Sequence, residues 1–169
     1  MGKLLYVTGP SRSGKSRWAV TRAAEWGPGV VFVATCRPGD PEMNDRIRRH
    51  RSERPAWRII EAPSSVAGAL ARVQPPPTGV VLDCLTLWMS DRLDSADDEV
   101  LADWDHELRA LRDASWPAVV VGNEVGWAPV PDSPVLRRFR DLAGWLAQRT
   151  AAEADETWLL VAGCPLRLK

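Results

Sequence analysis

The stretch "GPSRSGKS" (residues 9–16) fits the pattern G-x-x-x-x-G-K-[ST] without a mismatch and follows directly on the apolar run "KLLYVT" (3–8). Gly9 and Gly14 free the backbone to turn successive N–H groups toward a polyphosphate, with Pro10, Ser11, Arg12 and Ser13 completing the cradle. A helix starting near Lys15 would add its positive dipole end. Lys15 is then expected to reach the β- and γ-phosphates and the Ser16 hydroxyl to ligate Mg²⁺. A Gly/Ser turn can match such a pattern by chance. Here a strand precedes it and a helix follows, as the mechanism requires, and Lys15 is one of only three lysines, with Lys3 and Lys169.

Working outward, short apolar runs alternate with longer helical stretches. Strands are predicted at 3–8, "VVFVAT" (30–35), "WRIIEA" (57–62), "GVVLDC" (79–84), "AVVVGN" (118–123) and "TWLLVA" (157–162). Nearly continuous apolar runs suit strands buried on both faces of a parallel sheet. Helices are predicted at 15–26, 41–51, 64–73, 84–93, 98–113 and 133–152. "PPP" at 75–77 ends a helix before a strand, and "NEVGWAPVPDSP" (123–134) is too rich in Pro and Gly for either element. Alternation of this kind predicts a doubly wound α/β fold: a P-loop NTPase-like three-layer α/β/α domain with a mostly parallel central sheet. With no internal repeat, residues 1–169 read as a single domain.

Charge narrows the function classes. Lys plus Arg equals Asp plus Glu at 22 each, which argues against nucleic acid or a membrane surface as partner. Cys36, Cys84 and Cys164 have no paired spacing and read as reduced thiols. The N-terminus carries no secretory pattern and no membrane segment is evident, so a cytoplasmic location is expected.

A second acidic position is needed near the phosphates, and "GVVLDC" supplies Asp83 after four apolar residues, as in a Walker B strand. An Asp at a strand end is also a common turn or cap residue. No N-K-x-D follows the fifth strand and no D-x-x-G follows Asp83, so a regulatory GTPase fits poorly. A small kinase or nucleotidyltransferase remains. His50 lies in "RIRRHRSERP" (46–55) among five arginines, whose charges disfavour the imidazolium. The run could be a basic patch, a solvated helix end, or a neutral imidazole held as a nucleophile.

From "YVTGPSRSGKS" through "VATCRPGDPEMNDRIRRHRSERP", "VVLDCLTLWMSDRL" and "GNEVGWAPVP" to "RRFRDLAGWLAQRTAAEADETWLLVAGCPLRLK", the chain resembles the bifunctional adenosylcobinamide kinase / adenosylcobinamide-phosphate guanylyltransferases. The segment E-M-x-x-R-I-x-x-H-x-x-x-R-P (42–55) and the N-E-V-G loop carry the resemblance more specifically than the phosphate loop. It implies phosphorylation of the corrinoid adenosylcobinamide by ATP or GTP. It further implies attack of His50 on the α-phosphate of GTP, followed by GMP transfer to adenosylcobinamide phosphate. A neutral imidazole beside arginines suits such covalent transfer. The resemblance also implies nucleotide contacts near Thr35, Cys36 and Arg37, along Arg51, Ser52, Glu53 and Arg54, and at Glu61 and Asp83. Whether Asp83 meets Mg²⁺, ribose or each in turn stays open, and Glu61 reads equally as a solvated strand-end charge. A homotrimer is implied as well. Ala128, Asp91, Ala147 and a short loop at 94–98 depart from the family pattern. The nine tryptophans suggest core packing first, an interface or corrinoid surface second.

Overall fold

The computed structural model describes residues 2–36, 56–61 and 63–169. The helix expected at 41–51 lies outside them. Among the described residues seven strands form one sheet: β1 (Leu4–Thr8), β2 (Val30–Ala34), β3 (Arg58–Glu61), β4 (Gly79–Asp83), β5 (Ala118–Val121), β6 (Glu156–Val161) and β7 (Cys164–Arg167). The helices are α1 (Lys15–Ala24), α2 (Val66–Ala71), α3 (Leu85–Ser90), α4 (Asp97–Asp113) and α5 (Pro134–Glu153). Strand order is β3-β2-β4-β5-β1-β6-β7, parallel throughout except for the antiparallel β6–β7 pair. This is the three-layer P-loop NTPase-like α/β fold that the alternation predicts.

Strand side chains alternate between two cores. Leu4, Tyr6, Val31, Val33, Val80, Leu82 and Val120 face α2–α5, where Trp88, Trp104, Leu108, Leu142 and Leu146 fill the layer. Leu5, Val7, Val30, Phe32, Val81, Val119 and Val121 face α1 through Ala19 and Ala23. Burial on both faces explains why β1, β2, β4 and β5 are continuous apolar runs. The T-shaped pair Trp88–Trp104, 5.0 Å between centroids, bears out the core-packing expectation for those two tryptophans; Trp127 and Trp145 are exposed.

Two features escape the sequence reading. β7 is absent from the expected strands because every residue of "CPLR" is exposed and Pro165 interrupts it. It pairs back on β6 through a two-residue turn in which Ala162 and Gly163 both have positive φ, 52° and 81°. Such a turn matches the twist of the flanking strands. α2 is only six residues long and leans on a distant side chain. Glu107 of α4, 4% exposed, accepts the N–H groups of Val66 (2.9 Å) and Ala67 (2.6 Å), while Ser65 Oγ accepts that of Gly68 (3.0 Å). An isolated helix of this length is not stable in water, so these caps help to hold it.

Candidate nucleotide-binding active site

The phosphate loop lies between β1 and α1. Gly9 has φ 150° and sits so close to β6 that a Cβ there would lie 2.2 Å from the Leu160 carbonyl oxygen. No larger residue fits. Gly14, the N-cap of α1, is left-handed at φ 95°, and Arg12 adopts φ 58°. A non-glycine residue in that region costs on the order of 1 kcal/mol, strain that tends to gather at ligand-binding loops. Among the described residues none accepts from the backbone N–H groups of Ser11, Arg12 or Gly14.

The first turn of α1 reads Lys15-Ser16-Arg17 and contains no acid. Cations at a helix N-terminus work against the dipole, while an anion there is favoured. Lys15 is nonetheless 6% exposed, its Nζ donating to Pro10 O (2.7 Å) and Ser13 Oγ (3.4 Å). A polyphosphate would answer the helix dipole, the lysine and the open amides together.

Carboxyl ends of the parallel strands bring the other expected residues to the same edge. In sheet order they are Glu61 at the end of β3, Thr35 and Cys36 just past β2, Asp83 at the end of β4, and the loop starting at Asn123 past β5. With strands about 4.8 Å apart, Asp83 is two strands, roughly 10 Å, from β1 and Glu61 four strands, roughly 19 Å. Asp83 therefore lies within reach of the phosphate end, whereas Glu61 can serve only a distal part of a ligand. Glu61 is exposed and Asp83 half-buried. Arg37, His50, Arg51, Ser52, Glu53 and Arg54 lie outside the described residues.

Thr35 has a role that sequence did not suggest. Its hydroxyl accepts from Cys84 N–H (2.8 Å) and donates to Cys84 O (2.6 Å), and its own N–H donates to Asp83 O (3.0 Å). At 3% exposure, the side chain fastens the Asp83–Cys84 junction to β2. Cys84 itself is inert: burial, with Asp83 adding to it, pushes the thiol up to about 12, against a smaller opposing pull from Lys15. Asp83 and Lys15 thus pull the same buried thiol in opposite directions.

The β6–β7 turn is the second missed element. Gly163 N–H donates to Ser13 O (3.0 Å), so the turn braces the phosphate loop from the side opposite β5. Its signal was the small pair Ala162-Gly163 after an apolar strand, a hairpin mark only if the next four residues are read as a strand. On the other flank, Glu124 N–H donates to Gly9 O (2.9 Å).

A phosphate cradle with a buried lysine, a hydroxyl at the second helical position and an acid on a nearby parallel strand defines a nucleotide-binding protein of the phosphate-loop class. The structure is similar to that of the RadB recombinase, with a TM-score of 0.54 at 20% identity over 94% of this chain and 74% of that one, a likeness of fold. The cobinamide kinase / cobinamide phosphate guanyltransferase family profile matches residues 5–168, and the chain belongs to that family of transferases. It is 40% identical to the bifunctional adenosylcobalamin biosynthesis protein CobP of Pseudomonas aeruginosa over 166 residues, covering 96% of this chain and 95% of the relative. To the bifunctional adenosylcobalamin biosynthesis protein CobU of Salmonella typhimurium it is 36% identical, covering 98% and 99%. No helix among the described residues is long and apolar enough to cross a membrane.

Proposed function

We propose that this protein carries out both transfers of its family on a corrinoid. It phosphorylates adenosylcobinamide with ATP or GTP, and then moves GMP from GTP to the phosphorylated product through a guanylyl-histidine at His50. The observation that carries the reading is the anion-seeking start of α1, where Lys15 is buried in a cradle bounded by Gly9 and Gly14. Residues Gly9 to Ser16 would bind the polyphosphate, and Lys15 would neutralise charge that shifts between β- and γ-oxygens during transfer. Ser16 and Asp83 offer a hydroxyl and a carboxylate, the hard oxygen donors Mg²⁺ favours alongside phosphate oxygens and water. The ion would draw charge from the phosphates as the bond to the leaving group breaks.

Thr35, Cys36 and Arg37, Arg51 to Arg54 and Glu61 would border the rest of the nucleotide, with Thr35 acting through the junction it holds. In the second reaction the His50 nitrogen forms a bond to the α-phosphorus as pyrophosphate leaves. The terminal phosphate of the corrinoid then takes the GMP group and frees the imidazole. The whole chain, 1–169, would work as one cytoplasmic domain, assembled as a homotrimer.

GTP labelled at its α-phosphate tests the assignment. Denatured wild-type protein should retain acid-labile, base-stable label, and His50→Ala should retain none while still phosphorylating adenosylcobinamide. Lys15→Ala should lose about a hundredfold or more in both reactions, because both would draw on the same phosphate cradle. Equal loss of both activities in a folded His50→Ala protein would refute the nucleophile assignment. Sedimentation of the purified protein at a monomer mass would refute the trimer.

A further inference from the structure

The N-E-V-G loop is the most specific motif not yet given a task. β5 runs between β1, which leads into the phosphate loop, and β4, which ends in Asp83, so the loop leaves the sheet in the crevice between cradle and acid. The loop is held at several points. Asn123 N–H donates to Thr86 Oγ1 (3.0 Å), Glu124 N–H to Gly9 O (2.9 Å), and the Arg140 guanidinium donates to Gly126 O (2.7 Å) and Ala128 O (3.0 Å). Glu124 is half-buried, and one carboxylate oxygen accepts Gly126 N–H (2.7 Å). Among the described residues no cation forms an ion pair with it. A partly buried carboxylate fixed beside an anion cradle is repelled by the very ligand the cradle attracts, which favours a chemical use over a structural one.

From this placement we infer that Glu124 is the general base of phosphoryl transfer, taking the proton of the acceptor hydroxyl. The inference rests on the kinase reading above. In the step, the acceptor oxygen forms a bond to the γ-phosphorus, the bond from that phosphorus to the β,γ-bridging oxygen breaks, and the nucleoside diphosphate leaves. The hydroxyl proton passes to the free Glu124 oxygen and then to solvent. Rival groups at the seam are unsuited. Burial, with a smaller push from Glu124 itself, raises the Tyr6 hydroxyl to about 12. Asp83 is assigned to the metal. Of the groups around Glu124, the Tyr6 hydroxyl from β1 feels its charge, and the Arg140 guanidinium from α5 is spent on the loop carbonyls of Gly126 and Ala128.

Steady-state kinetics of the full chain with adenosylcobinamide and ATP, alongside α-phosphate labelling from GTP, tests this. Glu124→Gln should lower kcat for phosphorylation about 100- to 10,000-fold. Nucleotide KM should stay within about threefold and the covalent label should form as in wild type, since the histidine supplies its own nucleophile. Glu124→Asp, one methylene shorter, should recover part of the rate. If Glu124→Gln folds poorly, Glu124→Asp decides: kcat down about tenfold with KM held supports the base, and unchanged kcat overturns it. A Glu124→Gln rate within about fivefold of wild type, or loss of label and nucleotide affinity together, also overturns it. Wild-type protein that phosphorylates no corrinoid at all would overturn the functional reading first, which separates the two failures.

Discussion

Replacing Thr35 with valine keeps the shape of the side chain and removes only the hydroxyl. That hydroxyl holds both polar groups of the Cys84 backbone in a site where Thr35 and Cys84 are each 3% exposed. The carbonyl keeps a second partner, Trp88 N–H at 3.1 Å, so its loss is about 0.5–1 kcal/mol. The Cys84 N–H would be left buried without an acceptor, which costs about 1–3 kcal/mol. Thr35→Val should therefore destabilise the fold by about 2–3 kcal/mol. With a urea dependence near 2 kcal/mol per molar, the unfolding midpoint should fall by roughly 1–1.5 M. Thr35→Ser should stay close to wild type. Because Asp83 shares a peptide bond with Cys84, turnover should also fall by about tenfold while the Kd for GTP changes by less than about threefold. A valine variant of unchanged stability that has lost nucleotide affinity would refute the reasoning and make the hydroxyl a direct ligand.

Two further outcomes follow from the packing. Glu107→Ala strands the first two amides of α2 and should cost about 3 kcal/mol, lowering the thermal midpoint by roughly 6–12 °C; a shift under about 2 °C in a melting experiment would contradict the cap. Cys84, pushed up to about 12, should resist alkylation at pH 8 in the native protein while exposed Cys164 reacts, as peptide mass mapping would show.

What the sequence made legible was whatever a local pattern specifies. The phosphate loop stood out because its glycines, lysine and serine keep fixed spacing, and the central strands because burial on both faces leaves no room for polar residues. Asp83 was visible as the single charge ending such a run. The clasp of Thr35 on Cys84 was not, since it joins residues 49 positions apart and looks in sequence like any strand-end threonine. Glu107 was hidden in the same way, an acid on an otherwise amphipathic helix whose partners are 40 positions upstream. β7 was missed because an exposed edge strand with proline carries no hydrophobic alternation at all.

The bracing of the phosphate loop by the β6–β7 turn sets a timetable for the molecule. Residues 9–16 leave the ribosome early, yet Leu160 O, against which Gly9 packs, and Gly163 N–H, which holds Ser13 O, arrive about 150 positions later. At roughly 5–20 residues per second, that is a delay of roughly 8–30 s in which the loop exists without its outer wall. A nascent or truncated chain lacking the final strand pair should accordingly bind nucleotide poorly, so that capture of GTP becomes a report of complete synthesis.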